Sequence, residues 1–256
     1  MKYRNYLTIL IDILGSKAMI QKDIDATFLN LMGDVYNIIS KILPEILRPT
    51  LEYDIKIKIF SDNILIAIPS EWNFANNNHP VIALNRACTV VGAIQRLFLE
   101  KGLLTRGGVS YGTLYIDDTF VLGETLLRSY ELEDKIAVTP RVIVDNSIIE
   151  ILSKLVLHDS NAETMTSFGL VIDDDGEYYF DYLNFPQDPI CQNIIAISIV
   201  LCNEELQKLD DKVNHITIDT SLSKREKKEI LENVETVKNK YLWLKKYIDY
   251  CKSQRT

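Results

Sequence analysis

Two aspartates stand where a strand gives way to a turn. Asp12 closes the apolar run Tyr6-Leu7-Thr8-Ile9-Leu10-Ile11 and is followed by Ile13-Leu14-Gly15. Asp62 sits in Ser61-Asp62-Asn63, between alternating Ile55-Lys56-Ile57-Lys58-Ile59 and apolar Ile64-Leu65-Ile66-Ala67-Ile68. A strand ending in an acid and then a glycine puts a carboxylate at a sheet edge beside open backbone N–H groups. A second acid at a hairpin tip can meet it there. Two such carboxylates can hold a pair of divalent ions about 3.5–4 Å apart, the arrangement that drives phosphoryl and nucleotidyl transfer. Taken singly, Asp12 also reads as a strand-end cap and Asp62 as a turn former.

The elements that would position these acids follow from hydrophobic periodicity. Residues 6–12 read as a buried strand. Between 26 and 47, Phe28, Leu29, Met32, Val35, Tyr36, Ile39 and Leu43 recur at three- and four-residue spacing, the pattern of an amphipathic helix. The runs 55–59 and 64–68 read as an antiparallel hairpin. A polar, Asn-rich loop is expected at 71–80 and a helix at 81–99, closed by Lys101-Gly102. Strands follow at 103–111 and 119–122, then a helix led by Gly123 to about 137 and a strand at 141–145. Strands at 169–173 and 177–183 flank the turn Asp174-Asp175-Gly176. The order β-α-β-β-α-β suits an α+β plan, an antiparallel or mixed sheet with helices on one face. Helical patterns at 189–206 and 224–251, joined through 217–223, read as a C-terminal helical appendage. The expected division is 1–188 and 189–256.

Composition narrows the functional classes. The 256 residues suffice for one large domain or a domain with an appendage, and 47% apolar with 25% charged residues is ordinary for a globular chain. A net charge of −8 argues against a nucleic-acid binder, which normally carries a basic stripe. Cys88, Cys191, Cys202 and Cys251 lack C-x-x-C spacing and read as reduced thiols. The polar start Met1-Lys2-Tyr3-Arg4-Asn5-Tyr6 is not a signal peptide, and apolar stretches such as 194–202 are too short to span a bilayer. A soluble cytoplasmic protein without membrane association is expected.

Several phrases, in order, resemble the class III nucleotidyl cyclases. That family carries a strand ending in Asp-Ile-x-Gly, matched by Asp12-Ile13-Leu14-Gly15, and a second metal aspartate in a hairpin turn, matched by Asp62. Its Arg-x-Gly-Ile/Val strand is matched by Arg106-Gly107-Gly108-Val109, with Gly112 three residues later, and its Gly-led helix by Gly123. Within the family, Ser61-Asp62-Asn63, Arg106-Gly107-Gly108, Tyr130-Glu131-Leu132-Glu133 and Asp175-Gly176-Glu177-Tyr178 look most like the pyrimidine cyclases of the Pycsar anti-phage system.

The resemblance implies a ferredoxin-like cyclase core with a C-terminal helical extension, homodimeric, with active sites at the subunit interface. It implies formation of 3′,5′-cyclic UMP from UTP, with cyclic CMP from CTP as the second choice, a product read by a separate effector. Asp12 and Asp62 would bridge two Mg²⁺ or Mn²⁺ ions, with the carbonyl of Ile13 as a third ligand. The N–H groups of Leu14, Gly15, Ser16 and Lys17 would cradle the triphosphate. Arg106 would neutralise phosphate charge, or else form a surface ion pair. Lys58 falls where adenylyl cyclases read the base, and reads equally as a solvated lysine.

One departure matters. Purine cyclases carry an Asn and, four residues later, an Arg on the Gly-led helix; the matching positions here are Leu127 and Glu131, with Arg128 one residue out of register. Their base-reading acid or thiol maps near Thr119 or Phe120. This favours the pyrimidine branch, with a purine cyclase or a catalytically silent nucleotide- or partner-binding module as the alternatives. His79, His158 and His215 have no partners at catalytic or metal spacing.

Overall fold

A computed structural model describes residues 1–47, 55–70, 80–155, 165–166, 168–183 and 189–254. The loop expected at 71–80 lies outside them except for Pro80, as do His79 and His158. The chain forms two compact units, Met1–Tyr182 and Leu183–Thr256.

In the first unit β1 (Arg4–Ile13) is followed by α1 (Ser16–Lys22), α2 (Thr27–Leu47), β2 (Lys56–Phe60), β3 (Asn63–Pro69), α3 (Pro80–Glu100) and β4 (Thr105–Ile116). Next come β5 (Val121–Leu122), α4 (Glu124–Glu131), a π-turn (Leu132–Ile136), β6 (Val142–Val144), α5 (Asn146–Leu155), β7 (Leu170–Ile172) and β8 (Tyr178–Phe180). The strands lie in the order β2-β3-β1-β4-β6-β8-β7, with β5 paired to β4. The first four, built as β-α-β-β-α-β in the order 2-3-1-4 with antiparallel neighbours, make the expected ferredoxin-like α+β core. β6 joins β4 in parallel, which makes the sheet mixed.

Period-two alternation along β1 decides which side chain meets which layer. Leu7, Ile9, Ile11 and Ile13 enter the main core with Ile64, Ile66 and Ile68 of β3, under Val35, Ile39 and Leu43 of α2 and Leu84, Val91, Ile94 and Phe98 of α3. Tyr6, Thr8, Leu10 and Asp12 therefore point to the opposite face. That face is not bare, as a plan with all helices on one side would require. Leu10, Leu65, Leu114 and Ile116 form a second core there against Leu126 of α4 and Val121 of β5.

Small residues on β4 let α4 approach. Ser110 faces Thr8 across the β1–β4 pair, and its hydroxyl bonds the Thr125 carbonyl at 2.7 Å and the Ser129 hydroxyl at 2.9 Å. Gly108, in register with Leu10, leaves the room that the last turn of α4 fills.

Two helical regions were not legible in advance. α1 begins directly after Gly15, and α5 is started by Asp145, whose carboxylate accepts from the Ser147 N–H at 2.8 Å. The helix expected to about 137 stops being α-helical at Glu131 and continues as the π-turn, closed by Ala137 N–H donating to the Leu132 carbonyl at 2.8 Å.

The second unit is a pair of long helices, α6 (Pro189–Ile218) and α7 (Lys224–Ser253). α6 runs twelve residues past its expected end, because the charged segment after Leu206 keeps helical geometry through local pairs such as Lys208–Glu205 at 2.6 Å. The link is correspondingly shorter than 217–223. Ile194, Ser198 and Cys202 are buried with Val234, Leu244, Ile248 and Cys251, and Lys238–Asp210 at 2.6 Å ties the helices on their outer side. Among the described residues no helix is long and apolar enough to cross a membrane.

Candidate active site

The sheet brings Asp12, Asp62 and Arg106 to one place by strand register alone. Asp12 lies opposite Asn63 on β3 and opposite Arg106 on β4, so the β2–β3 turn and the start of β4 both border the end of β1. The turn is a two-residue hairpin loop, Ser61-Asp62, with Ser61 at a φ of 55°. Ser16 Oγ donates to Asp62, Asn63 Nδ2 donates to Asp62 Oδ1 at 3.3 Å, and Tyr36 Oη of α2 donates to the Ser61 carbonyl at 3.2 Å.

Charge is crowded here. Burial, followed by the charge of Asp62, raises the pKa of Asp12 against the pull of Arg106. Burial also pushes Asp62 upward, but hydrogen bonds led by that of Ser16 outweigh it and hold Asp62 below the ordinary carboxylate range. Tyr36 is pushed up to about 12, by burial first and then by Asp62 and Asp12, so its phenol stays a donor.

Arg106 spans two carboxylates. Its Nε donates to Asp12 Oδ2 at 3.3 Å, and its Nη2 lies 2.6 Å from Glu133 Oε1. Glu133 was not singled out as a site residue in the sequence, yet its side chain is only 5% exposed and sits in the π-turn that follows α4. An extra residue per turn re-aims side chains, and such turns are frequent at functional sites. Burial, with the charges of Asp12 and Asp134, raises Glu133 to about 7 against the pull of Arg106. Tyr36 was likewise read only as part of an apolar stripe. The available signal for Glu133 was its place in Tyr130-Glu131-Leu132-Glu133.

The raised Glu133 value has a consequence for stability. Between about 4.5 and 7 the unfolded chain releases this proton and the folded one keeps it, so stability falls as pH rises through that window. In Glu133→Gln, metal-free, the fall in Tm across the window is expected to shrink. Parallel Tm–pH curves for the two proteins would contradict the assignment.

The phosphate cradle is smaller than expected. The N–H of Leu14 is already donated to the Leu104 carbonyl at 2.8 Å, which removes it from the set. Gly15, at a φ of 85°, turns the chain into α1, and the first-turn amides of Ser16 and Lys17 have no acceptor inside their own helix. Ile13 ends β1 with its side chain in the core, so only its backbone faces the site.

Lys58 lies on the Asp12 face of β2 but is not drawn to the carboxylates. Its Nζ donates to the Asp118 carbonyl at 2.6 Å, in the β4–β5 turn that also holds Thr119 and Phe120. Leu127 is 68% exposed, while Glu131 pairs with Arg128 at 3.5 Å and Lys135 at 3.6 Å. Arg128 donates to Asp145, which ties it to the start of α5.

The donors at this site are all oxygens, as hard divalent ions require. Among the described residues no group of three or more His, Cys, Asp or Glu side chains is arranged to hold a metal. The Arg106 guanidinium already occupies a cation's place beside Asp12.

No family model and no curated protein matches the chain. Among solved structures, a bacterial light-regulated adenylyl cyclase is similar at 14% identity over 77% of this chain and 100% of that one, with a TM-score of 0.41. A class III adenylyl cyclase-like ATP-binding protein from Pseudomonas aeruginosa is similar at 14% identity, TM-score 0.46, over 71% of this chain; the match spans 39% of that protein. The catalytic core of a rhodopsin-guanylyl cyclase with converted specificity, in complex with ATPalphaS, is similar at 14% identity over 70% of this chain and 97% of that one, TM-score 0.39.

Proposed function

We propose that this chain is a nucleotidyl cyclase that converts UTP or CTP to the 3′,5′-cyclic monophosphate and pyrophosphate. The observation that carries this reading is the convergence of Asp12 and Asp62, from a strand end and a hairpin tip, beside the fork donor Arg106. The ribose 3′-oxygen attacks the α-phosphorus, its proton leaves to solvent, and the bond to the β-phosphate oxygen breaks with its electrons on pyrophosphate. Mg²⁺ or Mn²⁺, two per site, supplies Lewis acidity to the attacking hydroxyl and the leaving oxygens.

The chain's own groups do the positioning. Asp12, Asp62 and the Ile13 carbonyl would hold the ions. The amides of Gly15, Ser16 and Lys17 meet phosphate oxygens, and Arg106 neutralises triphosphate charge. Lys58, whose Nζ donates to the Asp118 carbonyl, is assigned to the base by resemblance to the adenylyl cyclases. The pyrimidine preference rests on Leu127 and Glu131, neither of which supplies the ribose and transition-state contacts of a purine cyclase. A homodimer with active sites at the subunit interface is part of the proposal. A cytoplasmic role in anti-phage signalling through a separate effector completes the proposal.

The test is incubation of the purified protein with Mn²⁺ and each of ATP, GTP, UTP and CTP, with products identified by mass and Asp62→Asn alongside. A cyclic pyrimidine monophosphate that vanishes in the variant is the expected result. A cyclic purine product would move the assignment to a purine cyclase. No cyclic product from any nucleotide would leave a silent binding module.

A further inference from the structure

Arg106 and Glu133 are built as a unit whose purpose the cyclase reading does not account for. A triphosphate-binding arginine needs only to face the substrate. Here it is held between two acids: Nε on Asp12 at 3.3 Å and Nη2 on Glu133 at 2.6 Å. Glu133 is almost wholly buried, and its Oε1 has no hydrogen-bond partner of good geometry although the guanidinium is in contact. A buried acceptor left short in this way is costly unless another arrangement satisfies it. The site is also short of space for cations. A divalent ion on Asp12 would sit against a guanidinium already there, and like charges at that distance repel strongly in a partly buried setting.

We infer that Glu133 is a positioning residue that draws Arg106 away from Asp12 when a divalent ion binds there. The inference rests on the two-metal reading of Asp12 and Asp62 and adds a regulation of the same site. Without metal, Arg106 shares its charge between Asp12 and Glu133 and neutralises the cluster. When the ion takes Asp12, the guanidinium turns fully onto Glu133, satisfies Oε1, and remains beside the phosphates. Arg106 is thereby a built-in competitor for the metal, and Glu133 sets how readily it yields.

The test is Mn²⁺ binding to the metal-stripped, nucleotide-free full chain, followed by the electron paramagnetic resonance signal of free Mn²⁺. Glu133→Gln keeps shape but offers the guanidinium a neutral acceptor in place of a charged one, so Arg106 shifts toward Asp12 and the Kd is expected to rise by about tenfold or more. Arg106→Gln removes the competitor, and Mn²⁺ is expected to bind more tightly than to the parent. Arg106→Lys, which keeps a cation without the fork, gives the second reading should the glutamine variant not fold; it too is expected to bind Mn²⁺ more tightly, because one ammonium cannot bridge both acids. In the double variant the cost of Glu133→Gln is expected to shrink to about threefold or less.

An unchanged Kd in Glu133→Gln would overturn the inference while leaving the cyclase reading intact. So would a tenfold cost that persists without Arg106, since Glu133 would then act on the ion directly. A parent protein that binds no Mn²⁺ without nucleotide would overturn the inference and leave the cyclase reading to the product assay.

Discussion

On the proposed cyclase reading, Asp12→Asn is expected to cut turnover by about a thousandfold or more while leaving the protein as stable as the parent, or more so. The two effects share one cause. Two carboxylates are held together at the end of β1, and burial and Asp62 both raise the pKa of Asp12. A carboxyl whose folded-state pKa lies above its unfolded value weakens the fold once ionised, because the unfolded chain releases the proton more readily. Asparagine has no charge to bury and keeps the shape. On the proposed reading the same change removes a metal ligand, and losing several kcal/mol of transition-state stabilisation corresponds to a factor of about 10³. The measurements are product formation from the preferred nucleotide and Tm in chelator at neutral pH. Turnover within tenfold of the parent would remove Asp12 from the chemistry. A Tm several degrees lower would mean that its pairing with Arg106 outweighs the repulsion.

The largest effect on folding is expected at Gly108. A methyl group there would stand 2.4 Å from the Ser129 carbonyl oxygen and 2.5 Å from Leu132 Cβ, with the Glu133 nitrogen at 3.2 Å. The first and last of these are backbone atoms, which cannot swing aside, so α4 would have to lift from the sheet. Overpacking of this kind costs about 1–3 kcal/mol, and Gly108→Ala is expected at the top of that range or beyond. The shift would also carry Glu133 off Arg106 and open the buried Ser110–Ser129 bond. Gly33→Ala is the matched control. It lies on the exposed side of α2 with nothing within 4 Å of the added carbon, and it is expected to stabilise by about 0.5–1 kcal/mol through helix propensity. Urea melts of both variants check this. Equal stability in the two would show that α4 is not seated through Gly108.

Gly107 and Gly108 together explain what Arg106-Gly107-Gly108 is for. On the other side of the same strand, a methyl at Gly107 would meet the Leu10 carbonyl oxygen at 2.3 Å. One glycine allows β1 to come close and the next allows α4 to do so. The pair reads as a motif in the sequence and as two separate steric requirements in the structure.

Much of the frame was legible because local pattern and final fold agree. The strand ending at Asp12, the hairpin around Asp62, the long helices of the first unit and the turn at Gly176 are set by short-range periodicity and turn chemistry. The fold leaves those elements nearly where periodicity places them. The two aspartates were identified for the same reason, since a carboxylate at a strand end and one at a neighbouring hairpin tip need only ordinary sheet pairing to meet.

The rest depended on packing between distant elements. Glu133 is 121 residues from Asp12 in sequence, and no periodicity marks it as an inward-facing acid. It reaches Arg106 because small residues on β4 seat α4 on the second face and because the helix loosens into a π-turn at Leu132. Tyr36 looked like one more apolar position on α2 until the hairpin turn was placed beneath its hydroxyl. Leu14 reads as a free donor in sequence, but its N–H is donated to the Leu104 carbonyl. Sequence alone determined which residues carry the charge, because carboxylate, guanidinium and strand-end position are local properties. Tertiary structure decided which of those charges face one another, because that depends on how closely one layer can lie on the next.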